Sequence, residues 1–187
     1  MPAKIPIPLA RQLRDASRKK INRAPSPALA MAVPWVLVML GSLSPTWPII
    51  ASAPIFPPMG FLFLIAWQHL RPGLFPIWAG LPLGAFDDLF SGQPFGSAVL
   101  LWSLAMIAID VIETRLPWRG FAQDWLSAAA IISAGLVLSL AIANAGGGAT
   151  SFLVIIPQIF VAILIYPLMG RFAGLADRFR LLPIQEL

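Results

Sequence analysis

Two long stretches without a single Asp, Glu, Lys or Arg, from Ala24 to Leu70 and from Trp125 to Gly170, set the limits on what this chain can fold into. One membrane crossing takes roughly 20 residues, so each stretch is long enough to cross, turn and cross again. The turning points are visible. Pro45, Pro48, Pro54, Pro57 and Pro58 interrupt the first stretch, and Gly146-Gly147-Gly148 divides the second. Proline runs cannot continue a helix. Only 11% of the 187 residues are charged, against about 25% in a soluble domain. The chain is an integral membrane protein.

With the remaining apolar runs included, the pattern predicts an all-α integral membrane protein, a single bundle of six transmembrane helices. The expected spans are 28–47, 56–70, 73–91, 97–112, 125–143 and 151–170, between a basic N-terminal arm (1–27) and a C-terminal tail (171–187). Charge placement supports that count. With both termini cytoplasmic, Arg71, Arg115, Arg119 and the arginines after 170 all fall inside, and the three outer connections carry no Lys or Arg. That is the positive-inside rule. Ala51-Ser52-Ala53 resembles a signal-peptide cleavage site, but it lies beyond the usual 15–30 residues and is expected to stay uncut.

Seven of the thirteen basic residues precede position 24: Lys4, Arg11, Arg14, Arg18, Lys19, Lys20 and Arg23. Beside an apolar span, such a run reads as a contact with anionic lipid or a cytoplasmic partner rather than with nucleic acid.

The segment "GLPLGAFDDLFSGQPFG" (80–96) places adjacent Asp87 and Asp88 in the third expected span. An aspartate at the centre of a membrane helix costs about 2.5–3.5 kcal/mol, so the pair is expected near the outer end. Gly80, Gly84 and Asp88 recur every four residues and share one helix face, with Gly92 and Gly96 following at the same spacing. Small residues so placed allow close helix approach, making these five a helix-packing or partner interface. Asp88 is expected to accept hydrogen bonds from backbone N–H groups around Phe95 to Ala98, and Pro82 to kink the helix. Asp87 and Asp88 also form a possible polar site.

Catalytic constellations are missing. There is no cysteine and one histidine, His69, so no thiolate or multi-histidine metal centre can form. Asp110 belongs about 21 Å further down the next helix from Gly96, too far from Asp88 for a shared proton. His69 is expected at the opposite end from Ser91 and Ser97. No cofactor, metal or enzymatic activity is expected.

The Gly-rich span ending in Asp-Leu-x-x-Gly, with a further Gly opening the next helix (Gly84, Asp88, Leu89, Gly92, Gly96), resembles the signature of the rod shape-determining MreD family. "FLFLIAWQHLRPGLFPIWAG" and "YPLMGRFAGLADRFR" resemble its proteobacterial members, although Pro58 is followed by Met59 where the family often has Asp. The resemblance implies a non-enzymatic inner-membrane scaffold of the bacterial cell-elongation complex. Its direct partner would be MreC, and through it MreB, RodA and a penicillin-binding transpeptidase. A likeness of that family to the substrate-binding subunits of energy-coupling-factor transporters implies the alternative, a small-molecule-binding membrane subunit with Asp87 and Asp88 at a pocket roofed by Trp47 or Trp78.

Overall fold

The computed structural model describes residues 27–46, 56–115 and 120–180. The basic residues of the arm, Trp47, the Ala51–Ala53 segment and Arg119 lie outside the described residues. Six α-helices follow one another: α1 (Pro27–Ser42), α2 (Met59–Leu70), α3 (Gly80–Ser91), α4 (Ser97–Arg115), α5 (Phe121–Ala145) and α6 (Ile156–Arg180). Among the described residues there is no strand. Four segments are long and apolar enough to cross a membrane: Leu29–Thr46, Ser97–Arg115, Phe121–Ala145 and Phe152–Arg180.

The other two helices, α2 and α3, have 12 residues each, about 18 Å at 1.5 Å per residue, against an apolar core of about 30 Å. The third span was expected to be helical from residue 73. Instead Gly73 turns with φ 76°, Pro76 is extended, and a short 3-10 turn (Ile77–Ala79) leads into α3. Proline disfavours helical backbone in the residue before it, so the chain cannot wind until Pro76 is passed. The expected kink at Pro82 is also absent as an interior break, because Pro82 falls in the first turn of α3. A missing N–H there has little to lose.

The helices form a closed ring in the order α1, α3, α4, α5, α6 and back to α1, and α2 occupies the centre, packing on α1, α4, α5 and α6. Nine of its residues, Gly60, Phe61, Leu62, Leu64, Ile65, Ala66, Trp67, Gln68 and His69, are buried. A nearly all-apolar helix suits the inside of a bundle as well as lipid, and here it takes the inside. Lipid is as apolar as leucine, so the bundle is held by close packing and interhelical hydrogen bonds. Gly41 and Gly60 bring α1 and α2 together: a Cβ on Gly41 would lie 2.8 Å from the Gly60 nitrogen.

The bundle has two chemically different ends. One carries the Gly92–Gly96 turn, with the C-terminus of α3 and the N-terminus of α4. The other carries a buried ion cluster. Asp177 accepts from Arg71 Nη2 at 2.8 Å and Nε at 3.2 Å, and from Arg180 Nε at 2.7 Å. Arg180 also donates from Nη1 to the Ala30 carbonyl at 2.6 Å and lies over the Trp67 ring, 5.5 Å from its centroid. The cluster ties α1, α2 and α6 together. It also explains why α6 runs ten residues past the end expected at 170: Asp177 and Arg180, expected in a tail, are buried helix residues.

The two arginines of this cluster are not equivalent, because the Arg180 side chain is 8% exposed and that of Arg71 is 50% exposed. Removing one partner of a buried pair strands a charge, at about 3–5 kcal/mol, whereas exposed pairs contribute about 0–1 kcal/mol. Asp177→Ala should therefore lower unfolding free energy in mixed micelles by about 3 kcal/mol, and Arg71→Ala by about 1 kcal/mol or less. Equal losses would contradict this division.

Candidate functional site

Gly80 and Gly84 set the spacing of the α3–α4 hairpin. A Cβ on Gly80 would lie 2.8 Å from the Ser103 nitrogen, and one on Gly84 would lie 2.6 Å from Val99 Cα and 2.7 Å from the Ala98 carbonyl oxygen. The two backbones touch, so the face they share is covered by α4 of the same chain. Gly92 and Gly96 play a different part from the expected packing face. They have φ of 67° and 96° with open space around their α-carbons. Their lack of a side chain serves the turn, where L-residues rarely adopt positive φ.

Asp88, one turn beyond Gly84, is buried at this hairpin. Its Oδ2 accepts from the Gly96 N–H at 2.8 Å and the Val99 N–H at 3.4 Å. Oδ1 accepts from the Ala98 N–H at 2.8 Å and the Ser97 hydroxyl at 3.2 Å. The Ser97 N–H donates to the Pro94 carbonyl, and from Leu100 N–H to Gly96 O the helical ladder takes over. The backbone donors from Gly96 to Leu100 are thus all satisfied, where a helix normally leaves its first four without partners. A carboxylate at a helix N-terminus is also favoured by the macrodipole. Asp88 is the remote cap of α4.

Asp87 points elsewhere. It is partly buried on the wall of a cavity of about 410 Å³ at the turn end of the bundle, together with Ser44, Phe61, Gln93, Trp102 and Gln158 among others. Asp88 and Trp78 do not line this cavity, so the two acids do not form one site. The cavity exists because the central helix starts late: Pro57, Pro58, Met59 and Gly60 lie on its wall, and the surrounding helices extend past them. Gln93 links its rim to α5 by accepting from Ser139 at 2.9 Å, and Gln158 donates to the Phe56 carbonyl at 2.8 Å.

A polar cluster that the sequence reading missed lies towards the ion-cluster end. His69 Nε2 is 2.9 Å from Ser127 Oγ, and Nδ1 is 3.1 Å from the Tyr166 hydroxyl and 3.0 Å from the Ile65 carbonyl. Ser127 donates to the Asp124 carbonyl at 3.0 Å. None of these side chains lines the cavity, and together they join α2 to α5 and α6. Only the isolated Gln68-His69 pair in an apolar helix hinted at such a partner. Asp110 is exposed on α4, about 20 Å along the helix from Ser97. Among the described residues no group of three or more His, Cys, Asp or Glu side chains is placed to hold a metal.

The fold and the hairpin define an all-helical membrane protein whose intramembrane acid is committed to helix packing. The chain matches the family model of the rod shape-determining protein MreD over residues 27–174 and belongs to that family. Its role is in rod shape determination. No curated protein and no solved structure matches the chain significantly.

The hairpin makes a sign-specific prediction. Gly84→Ala forces backbone against backbone and should destabilise the protein by about 1–3 kcal/mol, the usual range for overpacking. Gly174→Ala, in a helix interior with nothing near its α-carbon, should stabilise by about 0.5–1 kcal/mol. Unfolding in mixed micelles measures both, and the same sign at both positions would refute the contact.

Proposed function

We propose that this chain is a non-enzymatic scaffold of the bacterial cell-elongation machinery, resident in the inner membrane, which binds MreC directly. MreB, RodA and a penicillin-binding transpeptidase join the same assembly through it, and peptidoglycan synthesis is organised there. Membership of the MreD family is the observation that carries this reading. Because α4 covers the Gly80–Gly84–Asp88 face, this reading assigns the partner contact to the outward faces of the ring, and the exposed apolar side chains Phe160, Leu164 and Leu168 of α6 are compatible with it.

In this reading all six helices traverse the membrane region, with both termini in the cytoplasm. The ion-cluster end then faces the cytoplasm, in keeping with the positive-inside pattern. The basic arm lies against anionic lipid of the inner leaflet, where each Lys or Arg near the surface contributes about 1 kcal/mol.

Affinity purification of the tagged protein from its native membrane, followed by mass spectrometry, tests the proposal. MreC should co-purify, with RodA or the transpeptidase. Recovery of an ATPase pair with a membrane coupling subunit, and no MreC, would overturn the scaffold in favour of the transporter subunit.

A further inference from the structure

The cavity at the turn end has a lopsided chemistry. Its wall is mostly apolar and aromatic, with Phe61, Leu101, Trp102, Leu136 and Leu140 on it. Among the described residues the one charged side chain on that wall is Asp87, and no Lys or Arg pairs with it. The connecting segment 47–55 contains no basic residue either. Ser44, also on the wall, is 6% exposed, and its hydroxyl has no hydrogen-bond partner. Ser42, a buried neutral hydroxyl, neighbours the Asp87 carboxylate. Elsewhere on the wall the Gln158 amide nitrogen is engaged by the Phe56 carbonyl.

Asp87 is therefore a carboxylate on a largely apolar wall with no cation beside it among the described residues. A carboxylate out of water without a cation is costly, and an ammonium group brings three donors and no acceptor. The volume, about 410 Å³, lies within the range of pockets that hold whole small molecules. We propose that this cavity is a binding site for an amphipathic ammonium compound, its charged head against Asp87 and its apolar body against Phe61, Trp102 and Leu140. The site is separate from the surfaces that meet partner proteins. An ammonium on an apolar body can come from a membrane aminophospholipid or from a free alkylamine, and the same chemistry recognises both.

The chain has no cysteine, so one introduced thiol reports on the cavity cleanly. The full-length Ala143→Cys protein, with its thiol on the cavity wall, is reconstituted in phosphatidylglycerol vesicles. The rate of labelling by a small maleimide is then measured with decylamine, decanol or decanoate present. Leu164→Cys, on the exposed face of α6, controls for simple partitioning into the lipid. Decylamine should slow labelling of the cavity thiol at least tenfold, decanol much less and decanoate not at all, with the α6 thiol unaffected by any of them. Adding Asp87→Asn should raise the half-effective decylamine concentration at least tenfold, whereas Asp110→Asn should leave it unchanged.

Vesicles containing phosphatidylethanolamine separate the two sources. Labelling already slow in them, and restored by Asp87→Asn, assigns the ammonium to the lipid; labelling slowed only by added decylamine assigns it to a free amine. Equal protection by all three head groups would overturn the proposal. So would protection by decylamine that ignores Asp87. The head-group series is read with Asp87 in place, so it stands whether or not the Asp87→Asn protein folds.

Discussion

A carboxylate that closes the N-terminus of the next helix is the contact around which the rest of the bundle is arranged. Asp88 receives three backbone N–H groups and one hydroxyl from Gly96 to Val99. Hydrogen bonds to a charged group contribute about 1.5–3 kcal/mol each, enough for a few of them to offset the cost of an aspartate at membrane depth. The cap works only if α3 and α4 run close together. Gly80 and Gly84 allow that approach, and Gly92 and Gly96 make the turn between them. Four glycines and one acid act as a single device.

The hairpin closes one side of the five-helix ring, and the ring encloses the short central helix. Because α2 begins only after Pro57-Pro58, the turn end of the bundle is hollow, and Asp87 looks into that space. At the opposite end the centre is full. His69 there meets Ser127 and Tyr166, and Arg180 is clamped between Asp177, Ala30 and the Trp67 ring. Two neighbouring acids thus have unlike surroundings because they differ by 100° around one helix. One is saturated by backbone donors, and the other lies on the wall of a largely apolar cavity with no cation beside it among the described residues.

Much of the architecture was legible in the sequence. Charge-free runs broken by prolines and glycines give the number and order of the helices, and the four-residue spacing of Gly80, Gly84 and Asp88 marks a face built for close contact. The five-residue stretch from Gly92 to Gly96 brings Asp88 next to α4, so the cap was within reach of local reasoning. Contacts between distant segments were not. His69 with Ser127 and Tyr166, and Arg71 with Asp177, join residues far apart in the chain, and nothing local specifies such pairs. Gly41 and Gly60 are single glycines in different helices and carry no spacing signal. A uniformly apolar helix such as α2 has no polar face, so its pattern could not distinguish the centre of a bundle from its lipid-exposed rim. The short start of α3 and the extension of α6 to Arg180 were hidden for another reason: apolar composition marks where a chain can sit in lipid, not where its helices begin and end.

Membership of the MreD family and the closed α3–α4 face fit a membrane protein of rod shape determination in which Asp88 serves the packing of its own helices. Amide hydrogen exchange of residues 95–100 in the native and Asp88→Ala proteins, compared in the same lipid nanodiscs, tests the central contact most directly. Loss of the cap should speed exchange at Gly96, Ala98 and Val99 by at least tenfold, equivalent to about 1.4 kcal/mol of local opening free energy, while α5 and the ion-cluster end stay protected. Unchanged exchange at those three amides, in a variant that fails to support rod shape, would contradict the account and make Asp88 a functional group rather than a cap.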